Sequence, residues 1–139
     1  MRQSFGSHIV DTRGRGIYEF TSTAIRFVQD SKIENGLLTL HVRHTSASLL
    51  IQENADPTVK LDLENFFARL APDGDALYEH DMEGPDDMPA HIRSALTPVN
   101  LSIPLNGGRL ALGTWQGIYL WEHRTHPHRR QISLDIIGE

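Results

Sequence analysis

Three strand-length segments with alternating apolar and polar residues constrain the fold of this chain most strongly. The apolar positions of these segments are Leu38, Leu40 and Val42, then Leu101, Ile103 and Leu105, then Ile132, Leu134 and Ile136. A period of two is typical of a strand with one buried face. Residues 5–10, 47–52 and 109–122 also read as extended, so strands dominate the prediction.

Helical spacing of apolar residues predicts three helices, over residues 17–28, from Asp56-Pro57 to the stretch 72–74, and from Asp86 or Asp87 to residue 96. In the second helix, Asp56 is the predicted N-cap and the apolar positions from Val59 to Leu70 are expected to bury one face. In the third, the predicted apolar stripe is Met88, Ile92, Ala95 and Leu96. Because strands and helices do not alternate regularly, we expect one α+β domain over residues 1–139, built on an antiparallel sheet.

Composition excludes several classes of function. The chain has 139 residues, no cysteine and a net charge of −5. Thiolate metal sites, disulfides and a cysteine nucleophile are therefore excluded, and the charge argues against general nucleic-acid binding. No segment is apolar enough to span a membrane or to serve as a signal peptide, so we expect a cytoplasmic protein with no membrane partner.

Histidine is the most prominent residue in the composition, with eight copies. His44 follows an alternating strand on its apolar side, where it is either a metal ligand or general base, or a buried imidazole bonded to a backbone carbonyl. Asp62 and His91 flank the apolar stripes of their helices, where burial shifts pKa values. Alternatively, Asp62 forms only a surface ion pair with Lys60 or Arg69.

Two charged segments and one aromatic strand are further candidates. Segment 123–130 holds three Arg and three His, and the acidic loop 79–87 precedes the third helix. Together they favour a metal and phosphate site, although a solvated loop is the ordinary alternative. Glu122 ends a strand whose other face carries Trp115, which belongs either to the core or a subunit interface, or to a stacking platform for a flat heterocycle. Gly113 and Gly117 indicate a bulge or a close approach to a ligand.

These residues together resemble the YjbQ family (UPF0047), usually labelled secondary thiamine-phosphate synthase. The matching runs are 44–48, 53–57 with Asp62, 78–81, 88–92, 112–117 with Glu122, and 137–139. The resemblance implies a jelly-roll-like antiparallel β-sandwich with two to three helices, assembled as a homotrimer. It also implies a site at the His44, His80 and His91 motifs that binds a divalent metal, Zn or Mg, and three imidazoles leave the open position of a catalytic zinc site.

The reaction implied by the resemblance joins a hydroxymethylpyrimidine diphosphate to a thiazole phosphate, with loss of pyrophosphate. Arg129, Arg130 and the metal are expected to stabilise the pyrophosphate, whereas Trp115 and the carboxylates are expected to stabilise a cationic pyrimidine. The catalytic candidates are His44, Glu53, Asp62 and Glu122, and the substrate-binding candidates are Thr45, Ser46, Asn54, Trp115, Gln116, Arg129 and Arg130.

Two other functions remain open from the sequence. One is a metal-dependent hydrolase of a phosphorylated small molecule, which uses a metal-bound water and a Glu or Asp base. The other is a non-catalytic trimer in which the histidines hold a structural metal or an anion. The products of the reaction distinguish the first from a synthase, and the absence of turnover identifies the second.

Overall fold

A computed structural model describes residues 1–139 and shows eight strands and three helices. In chain order the elements are β1 (Arg2–Asp11), β2 (Gly16–Glu19), α1 (Thr21–Ser31), β3 (Gly36–Val42), β4 (Ala47–Glu53), α2 (Pro57–Leu70), α3 (Asp87–Leu96), β5 (Asn100–Asn106), β6 (Arg109–Leu110), β7 (Gln116–Glu122) and β8 (Arg129–Gly138). The predicted α+β class is confirmed. None of the three helices is long and apolar enough to cross a membrane.

Two antiparallel sheets form the sandwich. The first has the strand order β1-β8-β3-β5-β6 and the second has the order β2-β7-β4. Both sheets and α1 contribute to one cluster of 16 buried apolar residues. Leu38, Leu40 and Val42 are buried, whereas Leu37 and His41 on the opposite face are exposed. The predicted alternation of β3 is therefore confirmed, because one face of this strand packs in the core.

The first helix begins later than predicted. Residues 17–19, assigned to this helix by their spacing, belong to β2 and pair with β7, where Ile17 lies opposite Trp121. The hydroxyl oxygen of Thr21, the first helical residue, accepts a hydrogen bond from the backbone N–H of Ile118 at 2.8 Å. Pairing with a distant strand thus overrides the local helical pattern, which does not contain this information.

The predicted extended run 109–122 is interrupted between β6 and β7. The side-chain oxygen of Gln116 accepts from the backbone N–H of Gly113 at 2.7 Å, and the backbone N–H of Gln116 donates to the carbonyl oxygen of Gly113 at 3.1 Å. These bonds close a turn before β7. At Gly117 a Cβ atom would lie 2.8 Å from a carboxylate oxygen of Glu19, so the glycine allows a close approach within the chain.

Helix α2 is held to the sandwich by a polar contact more than by apolar burial. Its N-cap is Asp56, as predicted, whose carboxylate accepts from the backbone N–H of Thr58 at 2.9 Å. However, no α2 residue is fully buried, and Phe66 and Leu70 are half exposed, so the predicted buried face is wrong for the single chain. Phe67 contacts the ring of Trp121 edge-on, with 5.0 Å between ring centroids.

Glu64 connects α2 to both α3 and β7. Its carboxylate accepts a hydrogen bond from the indole N–H of Trp121 at 2.8 Å and another from the guanidinium of Arg93. Arg93 is fully buried, as are Ala90 and Pro89 on the same helix, whereas Leu96 of the predicted apolar stripe is exposed. The predicted stripe of α3 is therefore wrong, because Glu64 pairs with a charged side chain that then occupies the buried face.

Candidate metal centre and adjoining cavity

Four side chains at the start of α3 converge on one point. His80, Glu83, Asp87 and His91 each offer a ligand atom, and these atoms all lie within 4.8 Å of one another. We call this set the α3 cluster. His80 and Glu83 belong to the loop before α3, whereas Asp87 and His91 lie four residues apart and therefore share one face of the helix. The helix and its preceding loop thus build the site.

One carboxylate oxygen of Asp87 faces both imidazoles of the α3 cluster. Asp87 Oδ2 lies 2.7 Å from His80 Nε2 and 3.1 Å from His91 Nε2, and His80 Nε2 lies 3.6 Å from Glu83 Oε2. Hydrogen bonding to Asp87 raises the pKa of His80 above its ordinary value. Although burial raises the pKa of Asp87, hydrogen bonds with His80 and Glu83 hold it below its ordinary value. The carboxylate is therefore ionised at neutral pH.

Arg124 fixes the orientation of the two acids at the start of α3. Its Nη1 lies 2.8 Å from Asp87 Oδ1, and its Nε donates to Asp86 Oδ2 at 2.8 Å. Asp86 also accepts from the backbone N–H of Thr125 at 2.9 Å. The Asp86 side chain therefore binds segment 123–130 and does not cap α3. The second carboxylate oxygen of Asp87, Oδ2, faces the two histidines.

The hydrogen bond made by the other nitrogen of His91 determines its tautomer. His91 Nδ1 lies 3.0 Å from the carbonyl oxygen of Thr45, which can only accept, so Nδ1 carries the proton. In the neutral ring, Nε2 then has a lone pair directed at the carboxylate of Asp87. A lone pair facing a carboxylate requires a proton or a cation between them. This is the arrangement in which metal-ligating histidines are commonly found.

His44 lies close to the α3 cluster but is not part of it. Its Nε2 accepts a hydrogen bond from the backbone N–H of Gln131 at 2.8 Å. Burial, and next the charge of Arg130, lower the pKa of His44, so the ring is neutral and its single proton lies on Nδ1. Neither nitrogen has a free lone pair. The predicted roles of His44 as metal ligand and general base disagree with this geometry, and His44 is a hydrogen-bond donor instead.

A cavity of about 510 Å³ lies between the end of β3 and α3. His44 and Thr45 line one side and His91 and Ser94 line the other. His91 therefore belongs to both the cavity wall and the α3 cluster. A molecule in this cavity lies next to the point on which the cluster converges.

Glu122 and Arg130, predicted as catalytic and phosphate-binding residues, form a buried pair. The carboxylate of Glu122 is fully buried and accepts from Arg130 Nε at 2.9 Å and from the Thr12 hydroxyl at 2.7 Å. Arg130 Nη2 also donates to the hydroxyl oxygen of Ser46 at 2.9 Å. The structure thus gives Glu122, Arg130 and Ser46 structural roles, because their polar atoms bond one another inside the protein.

The predicted anion-binding segment 123–130 presents no unpaired guanidinium. Arg124 is bonded to Asp86 and Asp87, Arg130 to Glu122, and Arg129 to the exposed Asp11 at 3.1 Å. His123 is buried against the hydroxyl of Ser48 at 2.8 Å, and burial lowers its pKa to about 2. The phosphate-binding role predicted for Arg129 and Arg130 therefore lacks support in this chain.

The predicted residues Glu53, Asn54, Trp115 and Gln116 lie at the other end of the β4–β7 pair. Glu53 lies opposite Gln116, and the backbone N–H of Asn54 donates to the carbonyl oxygen of Trp115 at 2.9 Å. Ala47 lies opposite Glu122 at the end near the cavity. Six residue steps of about 3.3 Å separate the two ends by about 20 Å. The predicted site is thus divided into two groups within one chain.

Two of these residues are well placed to contact other molecules. Trp115 is 62% exposed, so it is a surface aromatic and not part of the core. Asp62 is exposed on α2, and the predicted alternative pairing with Lys60 is absent, since the Lys60 ammonium lies 4.6 Å from the centre of the Tyr119 ring. The Asp62 carboxylate therefore faces solvent.

Sequence reasoning identifies His80 and His91 but does not select Asp87, Glu83 or Arg124. In the sequence, the acidic loop 79–87 is assigned to a metal and phosphate site only as a whole, without a choice among its carboxylates. The spacing of Asp87 and His91, four residues apart on a helix, is the signal that identifies the cluster.

Comparisons with known proteins agree with the fold and the motifs. Residues 7–139 match the family described as UPF0047 protein YjbQ-like. The chain is 53% identical over 131 residues to UPF0047 protein sll1880 of Synechocystis, covering 94% of this chain and 89% of that protein. It is 45% identical to UPF0047 protein YjbQ of Escherichia coli O157:H7, covering 94% of both chains.

Solved structures share the same architecture. The crystal structure of hypothetical protein APE1520 from Aeropyrum pernix K1 aligns with a TM-score of 0.89 at 30% identity, covering 98% of this chain and 99% of that one. The conserved hypothetical protein TT1486 from Thermus thermophilus aligns with a TM-score of 0.84 at 34% identity, covering 95% and 99%. By family match, sequence identity and fold, this chain belongs to the UPF0047 YjbQ-like family.

Proposed function

We propose that this protein is a divalent-metal-dependent enzyme acting on a phosphorylated small molecule, with the metal held by the α3 cluster. The observation that carries the proposal is the pair of contacts made by the His91 ring. Its Nδ1 donates to the carbonyl of Thr45, and its Nε2 lone pair therefore faces Asp87 Oδ2 at 3.1 Å. A cation between the two atoms makes both contacts favourable.

The donor set fits zinc better than magnesium. Two imidazole nitrogens and two carboxylates are available, and imidazole is a preferred ligand of zinc, whereas magnesium favours an all-oxygen shell. The ligand atoms lie within 4.8 Å of one another, so small side-chain movements bring them to coordination distance. Of the predicted ligands, His80 and His91 are retained in the proposal, and Asp87 and Glu83 replace His44.

For the reaction, we propose the synthesis of thiamine phosphate from a pyrimidine diphosphate and a thiazole phosphate, as the family resemblance implies. A bound divalent ion supplies positive charge that stabilises a leaving pyrophosphate. The cavity lined by His91 supports this proposal, because it offers space for a phosphate group beside the proposed metal. His44, whose Nε2 accepts from the backbone N–H of Gln131 and whose proton is therefore on Nδ1, lines the same cavity.

We further propose that the protein works as a homotrimer in which Glu53, Asp62 and Trp115 of a neighbouring copy complete the site. These residues offer the negative charge and aromatic face that a cationic pyrimidine requires. The strand end that carries Glu53 and Trp115 lies about 20 Å from the end near the cavity, so we propose that these residues reach the same substrate from another subunit. A cyclic trimer brings different surfaces of two copies together at each interface.

Product analysis tests the proposed reaction. Zinc-loaded protein is incubated with the pyrimidine diphosphate and the thiazole phosphate, and the products are separated by chromatography. We expect pyrophosphate and thiamine phosphate in equal amounts, and we expect Asp87→Asn to lose this activity while the control Asp81→Asn, on an exposed acid of the same loop, retains it. Orthophosphate without coupling indicates the alternative hydrolase. Metal binding without any turnover indicates the non-catalytic protein.

A further inference from the structure

The cavity beside the α3 cluster has an unusual set of polar side chains. It is lined by His41, Arg43, His44, Thr45, His91 and Ser94, together with three apolar residues. The polar groups are three imidazoles, one guanidinium and two hydroxyls, and no carboxylate is among them. A cavity of this composition attracts an anion, although the whole chain carries a net charge of −5.

Arg43 differs from the other arginines near the site. Arg15, Arg93, Arg124, Arg129 and Arg130 all form ion pairs with carboxylates. Arg43 is exposed at the end of β3, lines the cavity, and is not a member of any ion pair in the chain. Its guanidinium is therefore available to a ligand, and planar guanidinium groups bind phosphate oxygens through two parallel hydrogen bonds.

His44 adds a second donor to the same cavity. Since its Nε2 accepts from the backbone N–H of Gln131, its proton is on Nδ1, and this N–H has no acceptor within the chain. The β3 strand ends at Val42, so Arg43 and His44 follow one another in irregular backbone directly beside α3. One phosphate group can therefore meet a charged and a neutral donor from adjacent residues.

We propose that this cavity is a phosphate-binding subsite, in which Arg43 and His44 hold the phosphate or diphosphate group of the substrate against the α3 cluster. The inference rests on the proposed function for the identity of that substrate. Arg129 and Arg130, to which the sequence analysis gave the anion-binding role, are paired with carboxylates. In this proposal Arg43 binds the anion instead. The shared wall residue His91 places the bound anion next to the metal centre, where a transferring diphosphate has to lie.

Calorimetric titration of inorganic pyrophosphate tests the subsite. The full-length protein is used in two forms, one stripped of metal with a chelator that is then removed by dialysis, and one loaded with zinc. Arg43→Gln removes the guanidinium, and Arg109→Gln, on an exposed arginine of β6, is the matched control. Zinc affinity is measured for all three proteins in parallel.

We expect both forms of the wild type to bind pyrophosphate, and we expect Arg43→Gln to bind it about tenfold more weakly, since it loses a charged hydrogen-bond donor. Arg109→Gln should match the wild type, and zinc affinity should be the same in all three. Pyrophosphate binding that is absent from wild type, or equal in wild type and Arg43→Gln, overturns the subsite. If binding depends on Arg43 but zinc does not bind, the subsite stands and the proposed metal-dependent function fails.

Discussion

His91 Nδ1 lies 3.0 Å from the carbonyl oxygen of Thr45, and this contact joins α3 to the segment between β3 and β4. It fixes the position of the proton on the His91 ring, and so it directs a lone pair at Asp87. The same ring forms part of the cavity wall. One hydrogen bond thus orients a ligand in the proposed metal centre and a wall of the proposed substrate site.

Loss of a carboxylate ligand should weaken zinc binding selectively. We expect Asp87→Asn to lower zinc affinity by at least about 100-fold, because even partners of the ligating residues contribute about 10- to 100-fold. The measurement is competition with a chromophoric chelator. Asp81→Asn serves as the control, since Asp81 lies in the same loop but outside the α3 cluster. Equal affinities for the two variants would place the metal elsewhere.

Acid should weaken zinc binding because the proton on His80 competes with the metal. Asp87 raises the pKa of His80 above the ordinary value of 6.5, so protons compete at a higher pH than for a free imidazole. We expect affinity to fall as the pH is lowered through the raised pKa of His80, and proton release to accompany binding. Calorimetry in buffers of different ionisation enthalpy measures the release. Zinc binding with no proton release at neutral pH would contradict the role of His80.

The raised pKa of His80 should also make the stability of the metal-free protein depend on pH. This stability falls as pH rises, whereas zinc affinity increases as pH rises. A folded-state pKa above 6.5 contributes stability that is fully present below that value and is lost as pH rises through the raised pKa. His80→Gln should remove this small pH dependence. Urea unfolding at several pH values, with His126→Gln as the exposed control, measures the difference.

The contact between Glu64 and Arg93 should be important for stability. Arg93 is fully buried, and two of its nitrogens, Nε and Nη2, have no partner, so Glu64 is its main compensation. We expect Glu64→Gln to lower the free energy of unfolding by about 3 kcal/mol, the cost typical of breaking a buried pair. Urea denaturation measures this value against Glu79→Gln, on an exposed acid. A loss no larger than that of the control would show that Arg93 is stabilised in another way.

Substitutions of two candidate catalytic acids should have different effects, one on stability and the other on activity. Glu122 is buried with Arg130, so Glu122→Gln should lower the free energy of unfolding by about 3 kcal/mol. Glu53 is only partly buried, so Glu53→Gln should leave unfolding unchanged but reduce turnover. Parallel denaturation and product assays test both. Full activity in Glu53→Gln would remove it from the proposed site.

Mixing two inactive variants tests whether neighbouring copies share the site. His91→Ala and Glu53→Gln damage opposite ends of the β4–β7 pair and its adjoining helix. If the site is formed between subunits, mixed trimers contain some sites with both ends intact, and activity returns after the chains are exchanged by dilution and reassembly. Light scattering should give a mass of three times 15.7 kDa. A single-chain mass or a mixture without activity would contradict the shared site.

Strands β3, β5 and β8 are predictable from sequence because each has one face that is more buried than the other. The alternation of Leu38, Leu40 and Val42 reports that face directly. Helices α2 and α3 are predicted in position but not in orientation, since both are attached through Glu64 and the buried Arg93. An apolar stripe gives no information about a contact of this kind.

The candidate site is predictable only in part, for a similar reason. His80 is predicted from the family resemblance alone, and His91 is predicted from the resemblance and from its place beside the apolar residues of the helix. The role of His44 depends on the backbone N–H of Gln131, which comes from a strand 87 residues away in sequence. Likewise, Arg130 reads as a phosphate ligand until its pairing with Glu122 is known. Tautomers and ion-pair partners are set by tertiary contacts that the sequence pattern does not contain.

Zinc K-edge X-ray absorption of the zinc-loaded protein tests the metal centre most directly. We expect one bound zinc per chain, with scattering from two imidazoles at about 2.0–2.1 Å and from carboxylate oxygens at about 2.0–2.2 Å. His91→Ala should lose one imidazole from the spectrum, and His44→Ala should leave both in place. A protein that retains no zinc after dialysis, or a spectrum in which His44→Ala removes an imidazole and His91→Ala does not, would show that the α3 cluster is not a zinc site.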